Sequence, residues 1–312
     1  MSQLVLLTGG RGFLGRRIAE ALRGRGFDIE TPGRPEFDLL DAASVEQTFE
    51  SIRPEIIVHS AAYYGGLGIC IAEPAQIFYR NVLMGINLLS AAARHGVKRF
   101  MTIGSACAYA GNVTGHMKEA DFWAGPIHPS VEAYGFSKKV MQVGTKAYGK
   151  QYGLKGQLPL MTNLYGEHDV FGEYRSHVAA ALIKKFADAL QRGARQVVCW
   201  GTGEPVREFI YVGDAAEAVA RLLKTDYFEP LNVGTGVGTS IRELAKLVAS
   251  CVGFSGEIIW DASKPDGVSR KVLDVGKMKE VLGWSPPTSL AEGLEKTIQW
   301  YLANKELADA RP

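Results

Sequence analysis

The chain opens on a short apolar run, Leu4-Val-Leu-Leu7, that meets Thr8-Gly9-Gly10-Arg11-Gly12-Phe13-Leu14-Gly15 before an amphipathic stretch begins. A strand that must turn at once into a helix leaves little room for side chains, and glycine lets the backbone reverse there and lie close to its neighbours. From Gly9 the segment satisfies G-x-x-G-x-x-G, and from Gly10 it also satisfies G-x-G-x-x-G. Glycines in this setting permit the tight turn, let backbone N–H groups approach a pyrophosphate, and let the helix pack on the strand. An ordinary turn is the plainer alternative. The strand before and the helix after favour a dinucleotide site formed by Gly9, Gly10, Arg11, Gly12, Phe13, Leu14 and Gly15.

Further apolar runs at 27–30, 56–59, 100–103 and 158–162 alternate with helical periodicity, as at Leu14, Ile18, Ala21 and Leu22 and at Ile77, Met84, Leu88 and Ala92. The alternation predicts repeated βαβ units and a Rossmann-type doubly wound parallel sheet, covered on both faces. Beyond about residue 165 the order loosens. The pattern predicts a helix over 176–192, a strand over 197–200, and a strand over 208–212 running into a helix to 224. Another strand follows at 231–233, then a capping box, Ser240-Ile-Arg-Glu243, opening a helix to about 252. Strands at 256–260 and 271–273 and a helix over 290–304 complete the chain. The expected fold is α/β. A cofactor domain spans 1–164 and takes in 208–230, a smaller mixed α/β substrate domain spans 165–207 and 231–312, and a cleft lies between them.

The 312 residues carry 35 Lys+Arg against 33 Asp+Glu, a net charge of +2, so nothing in the bulk charge points to nucleic acid or an anionic membrane. Any anion site must be local. Four cysteines, at 70, 107, 199 and 251, show neither a C-x-x-C pair nor zinc-ligand spacing, which makes a metal or disulfide scaffold an unlikely design. The first apolar run is too short for a signal peptide or a membrane span, and a cytoplasmic location is expected.

Cofactor choice is read near the end of the second strand, where an acid binds a ribose 2′-hydroxyl and a cation accepts a 2′-phosphate. The chain there reads Glu30-Thr31-Pro32-Gly33-Arg34. Arg34, with Arg11 in the glycine turn, favours NADP(H) over NAD(H); Glu30 before the Pro-Gly break fits the strand equally well. Asp38 and Leu39 are placed to line the adenine, with a solvated loop acid as the plainer reading of Asp38.

Two Y-x-x-x-K pairs occur among the twelve tyrosines. Tyr301/Lys305 lies in the C-terminal amphipathic stretch and reads as a surface pair. Tyr134/Lys138 opens a helix some thirty residues after the strand at 100–103 and its sequel Gly104-Ser-Ala-Cys-Ala-Tyr109. At i and i+4 both side chains share a helix face, where the ammonium is expected to lower the phenol from its usual value of about 10. Ser105, at the carboxyl end of a central strand, is placed to polarise a carbonyl beside Tyr134. The three suit hydride transfer to a ketone, with Lys138 anchoring the cofactor ribose and Tyr134 protonating the developing alkoxide.

At these residues the sequence resembles the extended short-chain dehydrogenase/reductase family over essentially its whole length. More narrowly it is similar to the branch that epimerises and reduces GDP-4-keto-6-deoxy-D-mannose. The narrow resemblance rests on Gly104-Ser-Ala-Cys-Ala-Tyr109, Ala133-Tyr-Gly-Phe-Ser-Lys138, Thr162-Asn-Leu-Tyr-Gly-Glu-His168, Ser176-His-Val178, Trp200-Gly-Thr-Gly203, Arg207-Glu-Phe209, Asn232-Val-Gly-Thr-Gly236 and Ala262-Ser-Lys-Pro-Asp-Gly267. It implies that Cys107 and His177 are the acid/base pair for inversion at C3 and C5. Those carbons flank the C4 ketone, so their protons become removable once the enolate is stabilised. Taken alone, Cys107 would be a small buried hydrophobe and His177 a helix cap.

The resemblance also assigns Gly104, Ser105, Lys138, Asn163, Leu164 and His177 to NADP(H), and Lys185, Trp200, Arg207 and Asp266 to a GDP-4-keto-6-deoxy-sugar, with Lys185 beside Arg207 on the diphosphate. It further implies a homodimer through the helices near 77–94 and 134–152. Ala106 stands where a second Ser is frequent, Ala110 where Pro is common, and Lys185 where Arg is often seen, so heptose and dideoxy relatives of the sugar stay open. An NAD-dependent nucleotide-sugar 4-epimerase and a noncatalytic dinucleotide sensor are the other readings. Arg11, Arg34 and the Cys107/His177 pair argue against the first, and an intact Ser105, Tyr134 and Lys138 against the second.

Overall fold

The computed structural model describes residues 2–172, 174–264 and 266–310. Seven parallel strands form the main sheet: β1 (Leu4–Thr8), β2 (Asp28–Glu30), β3 (Ile56–His59), β4 (Arg99–Thr102), β5 (Gly104–Ser105), β6 (Lys155–Met161) and β10 (Pro230–Val233). Their order is β10-β6-β4-β3-β1-β2, with β5 paired to β6 beyond the end of β4. Runs such as Val5-Leu6-Leu7 and Ile56-Ile57-Val58 are fully buried because helices cover both faces. From β1 the chain builds one way to β2 and the other way to β3, so a crevice opens at the carboxyl ends of β1 and β3.

Helices Pro74–Arg94 and Glu132–Tyr152 lie against each other on one face. Gly85 and Gly144 let them approach: a Cβ on Gly85 would strike the Met141 thioether, and one on Gly144 would come within 2.8 Å of Leu89.

The second part is built around β9 (Val206–Tyr211), which pairs with β7 (Asn163–Tyr165), β11 (Gly238–Ser240) and β13 (Arg270–Lys271). A separate parallel pair joins β8 (Gln196–Trp200) to β12 (Glu257–Asp261). Successive β9 residues feed different cores. Ile210 packs with the main-sheet core, while Phe209 packs with Tyr165, Ile183, Phe186, Leu244 and Tyr301.

Several sequence expectations shift. The strand at Leu231 to Val233, assigned to the substrate part, is instead the edge of the main sheet beside β6. Leu273, Val275 and Met278 join that sheet's core as well, so the chain returns to the cofactor half more often than expected. The helix expected from Ser176 begins at Val178, with His177 as its extended N-cap. The capping box holds, Ser240 and Glu243 satisfying one another's backbone N–H groups. Tyr301/Lys305 is no surface pair: Tyr301 is fully buried, and Lys305 donates to Asp188 at 2.6 Å and Asp309 at 2.8 Å, fastening helix Lys305–Asp309.

Candidate active site

The glycine turn closes on itself through Gly12 N–H donating to Gly9 O at 2.8 Å. Gly9 has φ +70°, and a Cβ there would meet Ala61 N at 2.8 Å; a Cβ on Gly10 would come within 2.7 Å of Thr31 Cβ, and one on Gly15 would overlap the Gly9 carbonyl. Helix Phe13–Arg23 has Gly12 as its N-cap, with no side chain satisfying the first N–H groups. Those donors are therefore left for an anion. The turn borders a cavity of about 460 Å³ lined also by Gly33, Arg34, Leu39, Ala61, Tyr63, Arg80 and Arg175. Backbone cradle and cavity fit a dinucleotide.

Arg11 lies over Gly33, where a Cβ would meet its Nη1 at 2.7 Å, so Arg11 and Arg34 both reach the end of β2. Asp38 pairs with Arg34 at 3.4 Å and accepts from Leu40 N–H, shaping its own loop, while Leu39 is buried against the main core's far face. Phe13 and Leu14 turn their side chains into the core, which leaves only their backbone to a cofactor. Arg80 and Arg175 were not singled out from sequence. Their guanidiniums sit 4.4 Å and 5.6 Å over the Tyr63 ring, and the buried Nε of Arg175 has no partner among the described residues.

Further along the crevice, Gly104 is forced by packing, since a Cβ would press on Leu160 at 2.7 Å. It leads to Ser105, whose Oγ accepts from Cys107 N–H at 3.1 Å and caps the turn Ala106–Ala108. A hydroxyl that accepts one bond still has its proton to give. Tyr134 and Lys138 stand one turn apart, with Nζ 5.2 Å from the ring centre. The electrostatics reverse the expectation from spacing. Burial, with Cys107 and Cys70 nearby, pushes the Tyr134 phenol up, and burial drops the Lys138 ammonium to about 8. Tyr134 is thus held protonated at neutral pH, the form a proton donor needs.

Cys107 lies beside this pair. Burial opposes its thiolate, but the Lys271 ammonium at 3.4 Å and hydrogen bonds from Tyr64 and Ser105 outweigh it, and the thiol falls below its ordinary value. His177 is pushed down to about 4 by burial and by Arg175, so its imidazole is neutral. Tyr64 touches the whole group. Its ring stacks on Tyr134 at 3.6 Å and 12°, lies 5.7 Å from His177, and its hydroxyl is 3.5 Å from the Cys107 sulfur.

On the other wall, Arg207 is held by Val206 O and Asp266 O, and burial lowers its guanidinium. Asp266 closes the Gly201–Gly203 turn by accepting from Thr202 N–H at 2.8 Å and Thr202 Oγ1 at 2.7 Å; its neighbour Pro265 lies outside the described residues. Trp200 is 67% exposed, with Lys264 over its ring. Lys185 donates to Val198 O on β8 at 2.8 Å. Asn163 donates to Glu208 O at 2.8 Å and so fastens β7 to β9, while Leu164 packs against the main core.

Glu208, unremarked as a functional residue in the sequence, is buried and accepts from the N–H groups of Thr235, Gly236 and Leu273. It fixes the segment just after Lys271.

A family model described as "NAD dependent epimerase/dehydratase family" matches residues 5–234. The chain belongs to that family. Within it, the GDP-L-fucose synthase of Escherichia coli K12 is 37% identical over 316 residues, covering 97% of this chain and 98% of the relative. A crystal structure of a GDP-L-fucose synthetase from Naegleria fowleri bound to NADP superposes with TM-score 0.90 at 28% identity, over 98% of this chain and 94% of that one. A GDP-6-OMe-4-keto-L-xylo-heptose reductase from C. jejuni also gives TM-score 0.90, at 26% identity over 97% and 98%. Among NAD dependent epimerase/dehydratase proteins the chain thus resembles ones named for GDP-linked sugars over 97–98% of its length.

Proposed function

We propose that the chain is a bifunctional NADPH-dependent epimerase/reductase that converts GDP-4-keto-6-deoxy-D-mannose to GDP-L-fucose. The observation that carries this reading is one crevice holding both chemistries: a thiol lowered by Lys271 and a neutral imidazole for inversion, beside a protonated phenol and a lysine for reduction. The similarity to GDP-L-fucose synthases supports the sugar. Arg11 and Arg34 at the end of β2, and the NADP-bound relative, support the cofactor.

In this reading Cys107 and His177 exchange protons with C3 and C5 while Ser105 and Tyr134 hold the enolate oxygen. Neutral His177 is in the form that can take up a proton, but burial and Arg175 make it a weak base; the negative charge of the approaching diphosphate and enolate raises its proton affinity and so lets it act as the acceptor. The glycine-lined cavity would hold NADPH, which would supply a hydride for C4; Lys138 is placed to hold its ribose and Tyr134 to give its proton to the alkoxide. Arg207, with Lys185 as a second cation, faces the diphosphate, Trp200 faces the guanine, and Asp266 holds the turn that carries Trp200 in place.

The cores support a two-part division: a cofactor part of 2–164, 210–234 and 272–284, and a sugar part of the remainder. Exposed Phe78 and Ile86 on helix Pro74–Arg94, with Phe136 and Val143 on helix Glu132–Tyr152, support a homodimer through that face. A cytoplasmic site of action completes the proposal; among the described residues no helix is long and apolar enough to cross a membrane.

The test is to mix the protein with NADPH and GDP-4-keto-6-deoxy-D-mannose in deuterated water. NADPH consumption with deuterium at C3 and C5 is expected. Absence of both would end the proposal for this sugar, and turnover of a GDP-4-keto-heptose alone would move the assignment to that class, which the heptose reductase neighbour makes the second candidate.

A further inference from the structure

Tyr64 follows β3 through residues 60–63 and is fixed from both sides. Asn81 accepts from Tyr63 N–H at 2.9 Å and donates to Tyr63 O at 2.8 Å, and Arg175 donates to Tyr64 O at 3.0 Å. Gly66 N–H donates to Arg175 O at 2.9 Å, and a Cβ on Gly65 or Gly66 would strike the backbone of 175–176. A side chain set on a backbone this constrained has little freedom to swing away. Its ring covers one face of Tyr134, and its hydroxyl reaches the Cys107 sulfur.

Resting on the proposed epimerase/reductase, we propose that Tyr64 is a positioning residue for epimerisation: its hydroxyl donates to the Cys107 sulfur and, with Lys271, holds it for proton transfer. The direction of the bond follows from the proton affinities, since burial raises the Tyr64 phenol well above its ordinary value while the Cys107 thiol is lowered. The phenol keeps its proton and the sulfur accepts. The titratable and charged groups around that sulfur are Lys271 on β13, Arg207 on β9, Cys70 and Tyr64 on the segment after β3, and Tyr134 on its helix. Cys70 is itself pushed up to about 11 and stays a thiol. Among these, Lys271 at 3.4 Å and the Tyr64 hydroxyl at 3.5 Å are within hydrogen-bond reach of the sulfur, which Ser105 also contacts. The stacked ring gives Tyr64 a second consequence, because any change that keeps the ring leaves the surroundings of Tyr134 in place.

The test separates the hydroxyl from the ring and needs no sugar for its first readout. Alkylation of Cys107 by iodoacetamide, followed peptide by peptide against pH, is compared for wild type and Tyr64→Phe. Loss of one hydrogen bond to a charged acceptor should raise the alkylation midpoint by about one pH unit. NADPH affinity, expected unchanged, checks that the variant is folded. Tyr64→His, which retains a donor, should recover part of the shift and covers the case in which Tyr64→Phe does not fold. With GDP-4-keto-6-deoxy-D-mannose, deuterium exchange at C3 and C5 should fall roughly tenfold in Tyr64→Phe. Reduction of sugar already epimerised should be within twofold of wild type. An unmoved midpoint, or equal loss of exchange and reduction, would overturn the role of Tyr64. Failure of wild type itself to exchange would instead strike the proposed function, with the alkylation result still standing.

Discussion

Two tyrosine–lysine pairs with identical spacing end in opposite electrostatic states. In Tyr134/Lys138 the ammonium sits 5.2 Å from the ring centre, and in Tyr301/Lys305 it sits 5.5 Å away, so the local geometry is nearly the same. Both rings are buried. The difference lies in the surroundings. Lys305 meets Asp188 and Asp309, with Lys184 completing the cluster, and its ammonium is raised above its ordinary value although burial alone would lower it. Lys138 is buried, its ammonium falls to about 8, and it adds to the burial that depresses the neighbouring His59. An i, i+4 spacing brings two groups together; the carboxylates around them decide whether the lysine is a fastener or a chemically available cation.

The largest break in this comparison should come from the phenols. Tyr134→Phe should reduce NADPH-dependent reduction by about 10²- to 10⁴-fold, the usual worth of a positioned proton donor, and leave deuterium exchange at C3 and C5 measurable. Tyr301→Phe should leave both activities close to wild type, and steady-state assays of the two variants side by side check this. Cys107→Ser should next lower exchange by about 10²-fold or more while some direct reduction of the ketone persists. Normal exchange in that variant would remove Cys107 from the acid/base pair.

Stability offers a third, smaller contrast. Because the Lys138 ammonium falls from 10.5 to about 8, the folded chain binds fewer protons than the unfolded one between those values, and stability rises as pH climbs through that window. Below pH 8 the buried charge is carried in full. Lys138→Met should therefore stabilise the ligand-free protein at pH 7 by about 2–3 kcal/mol, fading above pH 8, while NADPH turnover is lost. Lys305 has the opposite sign: its stabilising pairs are fully present below about pH 10 and are lost as pH rises through its raised value, so Lys305→Met should cost up to about 1 kcal/mol at pH 7. Denaturant titration at pH 7 and pH 9 distinguishes the two. At His177 the imidazole should titrate near pH 4 by NMR in the ligand-free chain. Its depressed value means stability declines as pH drops from about 6.5 toward 4.

Local chemistry was the legible part of the sequence. The glycine turn, the Ser240/Glu243 box and the Tyr134/Lys138 spacing each lie within a few residues, so pattern and structure coincide. The rest depended on partners far away in the chain. Lys271 reaches Cys107 across 164 positions, and nothing near either residue announces the contact. Tyr63 and Tyr64 look like two more aromatics after a strand, yet one stacks under arginines in the cofactor cavity and the other on Tyr134. Glu208 stood inside a quoted motif without a role, because three backbone donors from two distant segments are invisible to spacing. The bond from Lys185 to Val198 O on β8 is equally invisible to spacing.

Since Phe209 and Ile210 of β9 are anchored in different cores, the wall carrying Arg207 cannot recede from the wall carrying Ser105 without one of those side chains leaving its packing. With β9 anchored in both cores, a larger or smaller sugar is more cheaply accommodated by exchanging side chains that line the crevice than by moving the strand itself.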